Sequence, residues 1–181
     1  MCHFLDLKKT FDTVDHSILM KKTLYHFGIR GNAQNLFASS LSNRKQFVTV
    51  YRPTCKSDKE YITCGIPQGS VLGPTLFLIY INDLPDCHAM QTLLFADDTA
   101  LLMSGPNILD LQHTINDELK NVRKWLMQNK LTLNLNKTNY LLLHPAKEKQ
   151  SHHFLLNFDC NMLMQTNESK YLGVFICKME L

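Results

Sequence analysis

Apolar and polar positions recur along this chain on two periods, and each change of period marks an element. Residues 3 to 7 form a short apolar run broken by Asp6, the pattern of a buried strand with one carboxylate at or near its end. Ser17 predicts the cap of a helix that carries Ile18, Leu19, Leu24 and Phe27 and stops at Gly28; residues 32 to 42 predict a second short helix. QFVTVY (46 to 51) and EYITC (60 to 64) predict a β-hairpin around a polar turn. GIPQGSVLGP (65 to 74), rich in glycine and proline, predicts a shaped loop before the apolar helix TLFLIYINDL. QTLLFADDTALLM (91 to 103) then predicts two apolar strands with two adjacent carboxylates at the turn between them. Ile108, Leu111, Ile115, Leu119, Val122 and Leu126 recur at spacings of three and four, which predicts one long helix with a core-facing stripe. Strand-like runs follow at 140 to 143, 154 to 158 and 171 to 176, with a polar patch at 145 to 153 read as a loop.

Length and composition change this picture little. At 181 residues and 45% hydrophobic, the chain can bury a single core, so one domain over 1–181 is expected. Its net charge of +3 suits a nucleic-acid partner without requiring one. The six cysteines include no CxxC pair, which leaves plain reduced thiols as the expectation. His152 and His153 read as part of a solvated loop. No apolar run is long enough to span a membrane, and charge follows the first few residues at once. An intracellular protein, nuclear or cytoplasmic, neither secreted nor membrane-bound, is therefore expected.

The candidate chemistry lies in three acids that stand where the pattern calls for hydrophobes: Asp6 within FLDL, and Asp97 and Asp98 within LLFADDTALL. A buried carboxylate costs several kcal/mol unless it is paired or binds metal, and adjacent ones repel each other. Were their strands neighbours in one sheet, these acids could share two divalent ions for an in-line phosphoryl displacement. All-oxygen ligation selects Mg²⁺, or Mn²⁺, over zinc. The plain alternative is a solvated hairpin turn, since Asp tolerates turn geometry.

Five segments carry a resemblance. FLDLKKTFDTVDH (4 to 16), GIPQGSVLGPTLF (65 to 77), FADDTAL (95 to 101), LNLNKT (133 to 138) and KYLGV (170 to 174) resemble, in order and spacing, palm motifs A to E of reverse transcriptases, in particular those of LINE-like, non-LTR retrotransposons. The match runs from residue 4 to about residue 175. It implies an α+β polymerase palm, a small antiparallel sheet with helices packed on one face. The implied activity is RNA-directed DNA polymerisation: transfer of a nucleotide from dNTP to a DNA primer 3′-OH on an RNA template, with two Mg²⁺ ions as cofactor.

The resemblance also implies roles. Asp6, Asp97 and Asp98 would hold the ions. Phe11 would be the aromatic gate against a ribose 2′-OH, with a core phenylalanine as its plain alternative. Gln68 and Gly69 would line the nucleotide site, the glycine allowing close approach of substrate. Lys137 would serve the departing pyrophosphate, with a solvated lysine as the alternative. Lys170, Tyr171, Leu172 and Gly173 would form the primer grip, and Arg44 a backbone contact. Only five residues precede Asp6, so the amino-terminal part of the fingers is not expected within this chain; neither is a thumb. That leaves two readings: a polymerase palm, or a catalytically silent remnant that at most binds nucleic acid.

Overall fold

The computed structural model describes residues 1–52, 54–143 and 154–177 and is α+β. It divides into two compact units, Met1–Lys8 with Asn82–Leu181, and Lys9–Ile81. The polar patch with His152 and His153 lies outside the described residues.

Strand β1, Cys2–Leu5, is buried at all four positions, as a central strand covered on both faces must be. After it the chain enters the Lys9–Ile81 unit. Helix α1 spans His16–Tyr25, and its cap is Asp15 rather than Ser17: Asp15 Oδ1 accepts from the amides of Ser17 and Ile18 and from the Ser17 hydroxyl. The aspartate takes the role because its oxygen reaches two orphan amides, and its charge suits the positive helix start. Leu19 is wholly buried, but Phe27 is exposed, because it lies beyond the helix end. Lys22 occupies a buried position on this helix, its Nζ donating to the Tyr80 carbonyl at 2.6 Å.

Helix α2 spans Gly31–Leu41. The hairpin that follows is split in two: β2 (Lys45–Gln46) pairs with β5 (Glu60–Tyr61), and β3 (Thr49–Tyr51) pairs with β4 (Thr54–Lys56). Much of the expected polar turn is therefore itself strand, because an exposed antiparallel pair needs no apolar alternation to keep its backbone bonds. Helix α3, Gly73–Ile81, buries Leu76, Phe77, Ile79, Tyr80 and Ile81, as its near-continuous hydrophobicity demands.

The remaining elements belong to the other unit. They are β6 (Gln91–Phe95), β7 (Asp98–Leu102), α4 (Ile108–Gln128), β8 (Asn139–Leu141), β9 (Asn157–Phe158), β10 (Asn161–Met162), β11 (Met164–Gln165), β12 (Glu168–Tyr171) and β13 (Val174–Cys177). Five of the strands make one sheet in the order β11-β8-β1-β7-β6. All neighbours are antiparallel except β11, which lies parallel to β8. This departs from a purely antiparallel sheet because β11 returns after a crossover that carries the β9–β10 hairpin, instead of turning straight back.

Cys2, Phe4, Ala100 and Leu141 form one face of the core, against which Leu102, Tyr171 and Ile176 pack. The stripe of α4 is buried at Ile115, Leu119, Val122 and Leu126, joined by Trp125. Asn107 caps this helix. Gln112 and Asn116 fasten it to the 155–157 segment, accepting from the Leu155 and Asn157 amides.

His3 lies on the opposite face of β1, wholly buried, its ring 5.6 Å from that of Tyr140 and neither ring nitrogen hydrogen-bonded. Burial, aided by the nearby amino terminus, pushes its pKa down to about 3. The folded chain thus holds His3 neutral, while the unfolded chain takes up a proton below the ordinary value near 6.5. Stability is full above pH 6.5 and falls as pH drops from there towards 3, by about 2 kcal/mol at pH 5 from this residue alone. Urea unfolding at pH 7.5 and pH 5 checks it: His3→Leu should lose that part of the pH dependence, and equal slopes in the two proteins would refute the assignment.

Candidate active site

The pairing of β1 with β7 assembles the acids. Leu5 lies across from Thr99 and Phe4 across from Ala100; carried one residue further, the register sets Asp6 across from Asp98. Asp97 is next to it, in the tight β6–β7 turn whose Ala96 has φ +52°. Side chains alternate along a strand, so Asp6 and Asp98 share the sheet face of Phe4 and Ala100. Their electrostatics agree. The Asp98 carboxyl is raised above its ordinary range by partial desolvation and then by the charges of Asp97 and Asp6.

The acids differ from expectation in one respect. Asp97 and Asp98 are exposed and Asp6 is half-buried, because the turn projects from the sheet, and Phe95 and Leu93 beside it are exposed as well. Partial desolvation of Asp98, with repulsion from Asp97 and Asp6 added to it, is the physical signature of the group.

Two further residues support Asp6 and were not singled out in the sequence. Asn134 Nδ2 donates to Asp6 Oδ2 at 2.8 Å while its own amide donates to the Asp6 carbonyl at 2.7 Å. The Asp6 amide donates to Thr138 Oγ1 at 3.3 Å. Both lie in the LNLNKT segment, whose polar positions look like an ordinary turn until the strands are paired. Lys137, in the same turn, is exposed.

The KYLGV segment forms the β12–β13 hairpin instead of a single strand over 171 to 176. Leu172 and Gly173 both have positive φ (51° and 81°), as a two-residue turn matched to strand twist requires. Tyr171 is laid on the acidic face: its ring is 5.8 Å from that of Phe4 and its hydroxyl donates to the Leu93 carbonyl at 3.3 Å. Burial, followed by the Asp98 charge, raises its phenol pKa. Lys170 is exposed beside Phe175.

The other candidates belong to the Lys9–Ile81 unit. Phe11 is half-buried and stacked on Phe77, ring centroids 4.9 Å apart. Gln68 Nε2 donates to Asp12 Oδ1 at 3.1 Å, and both residues line a cleft of about 560 Å³ together with Gln46, Tyr61 and Thr63. Gly69 has φ +78° with open space where a Cβ would stand. A close approach within the chain itself occurs at Gly65, where a Cβ would lie 2.9 Å from the Asp12 carbonyl oxygen and φ is +88°. The Arg44 Nε donates to the Ser40 carbonyl, closing the end of α2.

All six cysteines are free thiols. Among the described residues no helix is long and apolar enough to cross a membrane, and no three His, Cys, Asp or Glu side chains converge closely enough to chelate an ion as they stand. The donors at the β6–β7 turn are nonetheless hard oxygens whose repulsion a cation would relieve, which suits magnesium.

A sheet that carries repelling carboxylates on adjacent central strands, with a hairpin folded over the same face, is the arrangement of a polymerase palm. The fold is shared with telomerase from Candida albicans, solved in complex with a fragment of telomeric RNA: the TM-score is 0.64 at 15% identity, over 98% of this chain and 30% of that one. The family described as reverse transcriptase (RNA-dependent DNA polymerase) matches residues 1–176. The chain is 29% identical over 182 residues to the RNA-directed DNA polymerase from mobile element jockey of Drosophila funebris, covering 96% of this chain and 19% of that protein. It is 32% identical over 112 residues to a Pol polyprotein of the type-1 retrotransposable element R2 of Popillia japonica, covering 54% of this chain and 18% of that protein. The chain belongs to the reverse transcriptase family, with relatives in non-LTR retrotransposons, and spans about a fifth of the jockey protein's length.

Proposed function

We propose that this chain is the palm of an RNA-directed DNA polymerase that extends a DNA primer with deoxynucleotides on an RNA template. The observation that carries the proposal is the register that sets Asp6 across from Asp98, with Asp97 in the adjoining turn and the Asp98 carboxyl raised by partial desolvation and then by both neighbours. Asp6, Asp97 and Asp98 would hold two Mg²⁺ ions, or Mn²⁺, which when bound supply charge stabilisation to the attacking and leaving oxygens. Asn134 fixes the Asp6 carboxylate by its 2.8 Å hydrogen bond, so that one oxygen is oriented before any ligand arrives. Lys137, exposed and cationic, donates a proton to the departing pyrophosphate or neutralises it. Gln68 and Gly69 line the site of the incoming nucleotide, and Phe11 screens its sugar. Lys170, Tyr171, Leu172 and Gly173 hold the primer end, a role favoured by the place of Tyr171 on the acidic face. Arg44 contributes a contact to the nucleic-acid backbone.

Primer extension with oligo(dT) on poly(rA) tests this reading. The segment is assayed alone and within the flanking regions of a jockey-type relative. Metal-dependent extension by the flanked protein is the expected result, and a folded flanked protein that fails to extend the primer would overturn the proposal. Lys137→Ala should lower the extension rate by about 10²-fold, within the usual range for a general acid, and leave primer binding unchanged.

A further inference from the structure

The split hairpin of residues 44 to 61 has a composition unlike the rest of the chain. It holds Arg44, Lys45, Arg52, Lys56 and Lys59 against Asp58 and Glu60, a net of 5 − 2 = +3. That equals the net charge of the whole chain, so the remaining residues balance at 14 basic and 14 acidic (19 − 5 and 16 − 2). The same ribbon exposes Phe47 (47%), Tyr51 (79%) and Tyr61 (61%) along with Val48 and Val50. Neither half of it belongs to the five-stranded sheet.

The ribbon's register orders these groups. Thr49 faces Lys56 and Tyr51 faces Thr54; beyond the strands the Ser57 amide donates to the Val48 carbonyl and the Val48 amide to the Ser57 hydroxyl. Alternation then places Phe47, Tyr51 and Lys56 on one face. Lys56 Nζ lies 5.7 Å from the Phe47 ring centroid, and Lys45 Nζ lies 4.2 Å from that of Tyr61. Cations held over exposed rings form a surface with two complements in one ligand: phosphates for the charges and planar bases for the rings. At its base, Gln46 and Tyr61 also line the cleft that contains Gln68.

We infer that this ribbon is a docking surface for a single strand of nucleic acid, gripping phosphates through Lys45, Arg52 and Lys56 and stacking bases on Tyr51, Phe47 and Tyr61. The inference is compatible with the polymerase reading but needs no catalysis, and its test separates the two. Binding of fluorescent 15-nucleotide oligo(rU), oligo(dT) and a 15-base-pair duplex to this chain is followed by anisotropy across a salt series. The single strands should bind more tightly than the duplex, with affinity falling steeply as salt rises; comparing rU with dT identifies the preferred sugar. Tyr51→Ala should weaken single-strand binding by about tenfold or more, while Tyr51→Phe keeps it. The double variant Arg52→Gln/Lys56→Gln should flatten the log–log salt slope by about 1.4, at roughly 0.7 per lost phosphate contact. These side chains are exposed and outside the core, and thermal melting confirms that each variant is folded. A wild-type affinity that ignores salt, or an unchanged affinity and slope in both sets of variants, overturns the proposal and leaves the exposed rings as a site for a protein partner. Binding is read on this chain without metal or dNTP and extension on the flanked protein, so failure of the catalytic reading and failure of this one remain distinct.

Discussion

Asp97→Asn is expected to abolish metal-dependent primer extension, by roughly 10³-fold or more, in the segment flanked as in a jockey-type relative, while leaving the protein as stable as before or more so. The two halves of the expectation have one cause. Removing an anionic oxygen weakens whatever cation the group holds, and stabilisation of transferring oxygens by bound ions is worth several kcal/mol, each 1.36 kcal/mol being tenfold in rate. Without metal, the same substitution removes a like charge from beside Asp98, whose carboxyl is already raised by desolvation, Asp97 and Asp6. A carboxyl with a raised folded pKa favours folding most at low pH and loses that advantage as pH rises through its folded value. The variant's gain in stability should accordingly appear at neutral pH and vanish in acid. Single-turnover extension and urea unfolding at pH 7.5 and pH 4 measure both. Marked unfolding of the variant at neutral pH would make Asp97 a structural residue, and retained extension would remove it from the catalytic group.

Phe11→Val should admit ribonucleotides, reducing the preference for dNTP over rNTP by roughly 10²-fold, the order expected when a hard wall against one hydroxyl is taken away. Phe11 also packs: it is half-buried and stacked on Phe77. Losing that stack costs about 0.5 to 1.5 kcal/mol beyond the area lost. Packing and gating are separable because a looser core slows incorporation of both sugars alike, whereas a lost gate changes their ratio. Single-nucleotide incorporation of dTTP and UTP, each as kcat/KM, supplies that ratio. An unchanged preference in a folded Phe11→Val protein would leave Phe11 as a core residue alone.

Wherever the physics is local, the sequence carried the structure. The α4 stripe was legible because residues three and four apart share a helix face whatever the helix packs on, and Ile115, Leu119, Val122 and Leu126 are buried as that period requires. Asp6 and the Asp97–Asp98 pair stood out because they interrupt apolar strands, and the five motif segments already resembled a reverse transcriptase palm. Departures from the local pattern have local causes as well. Asp15 outcompetes Ser17 as a cap by one accepting oxygen, and Leu172–Gly173 form a turn where apolar content alone suggested a continuing strand.

What only the tertiary structure decided is which distant strands lie side by side. Nothing in residues 2 to 5 says that β1 runs between β7 and β8, yet that pairing sets Asp6 across from Asp98 and brings Asn134 within 2.8 Å of Asp6. The β6–β7 turn leaves Asp97 and Asp98 exposed, where their apolar flanks suggest burial. Gly65 is required by the Asp12 carbonyl, a neighbour far away in sequence. Periodicity reports how a residue meets solvent and its own helix or strand, through interactions a few residues long. Strand order, side-chain partners and the field at a carboxylate depend on groups brought close only when the whole sheet closes, and no window of the chain contains them.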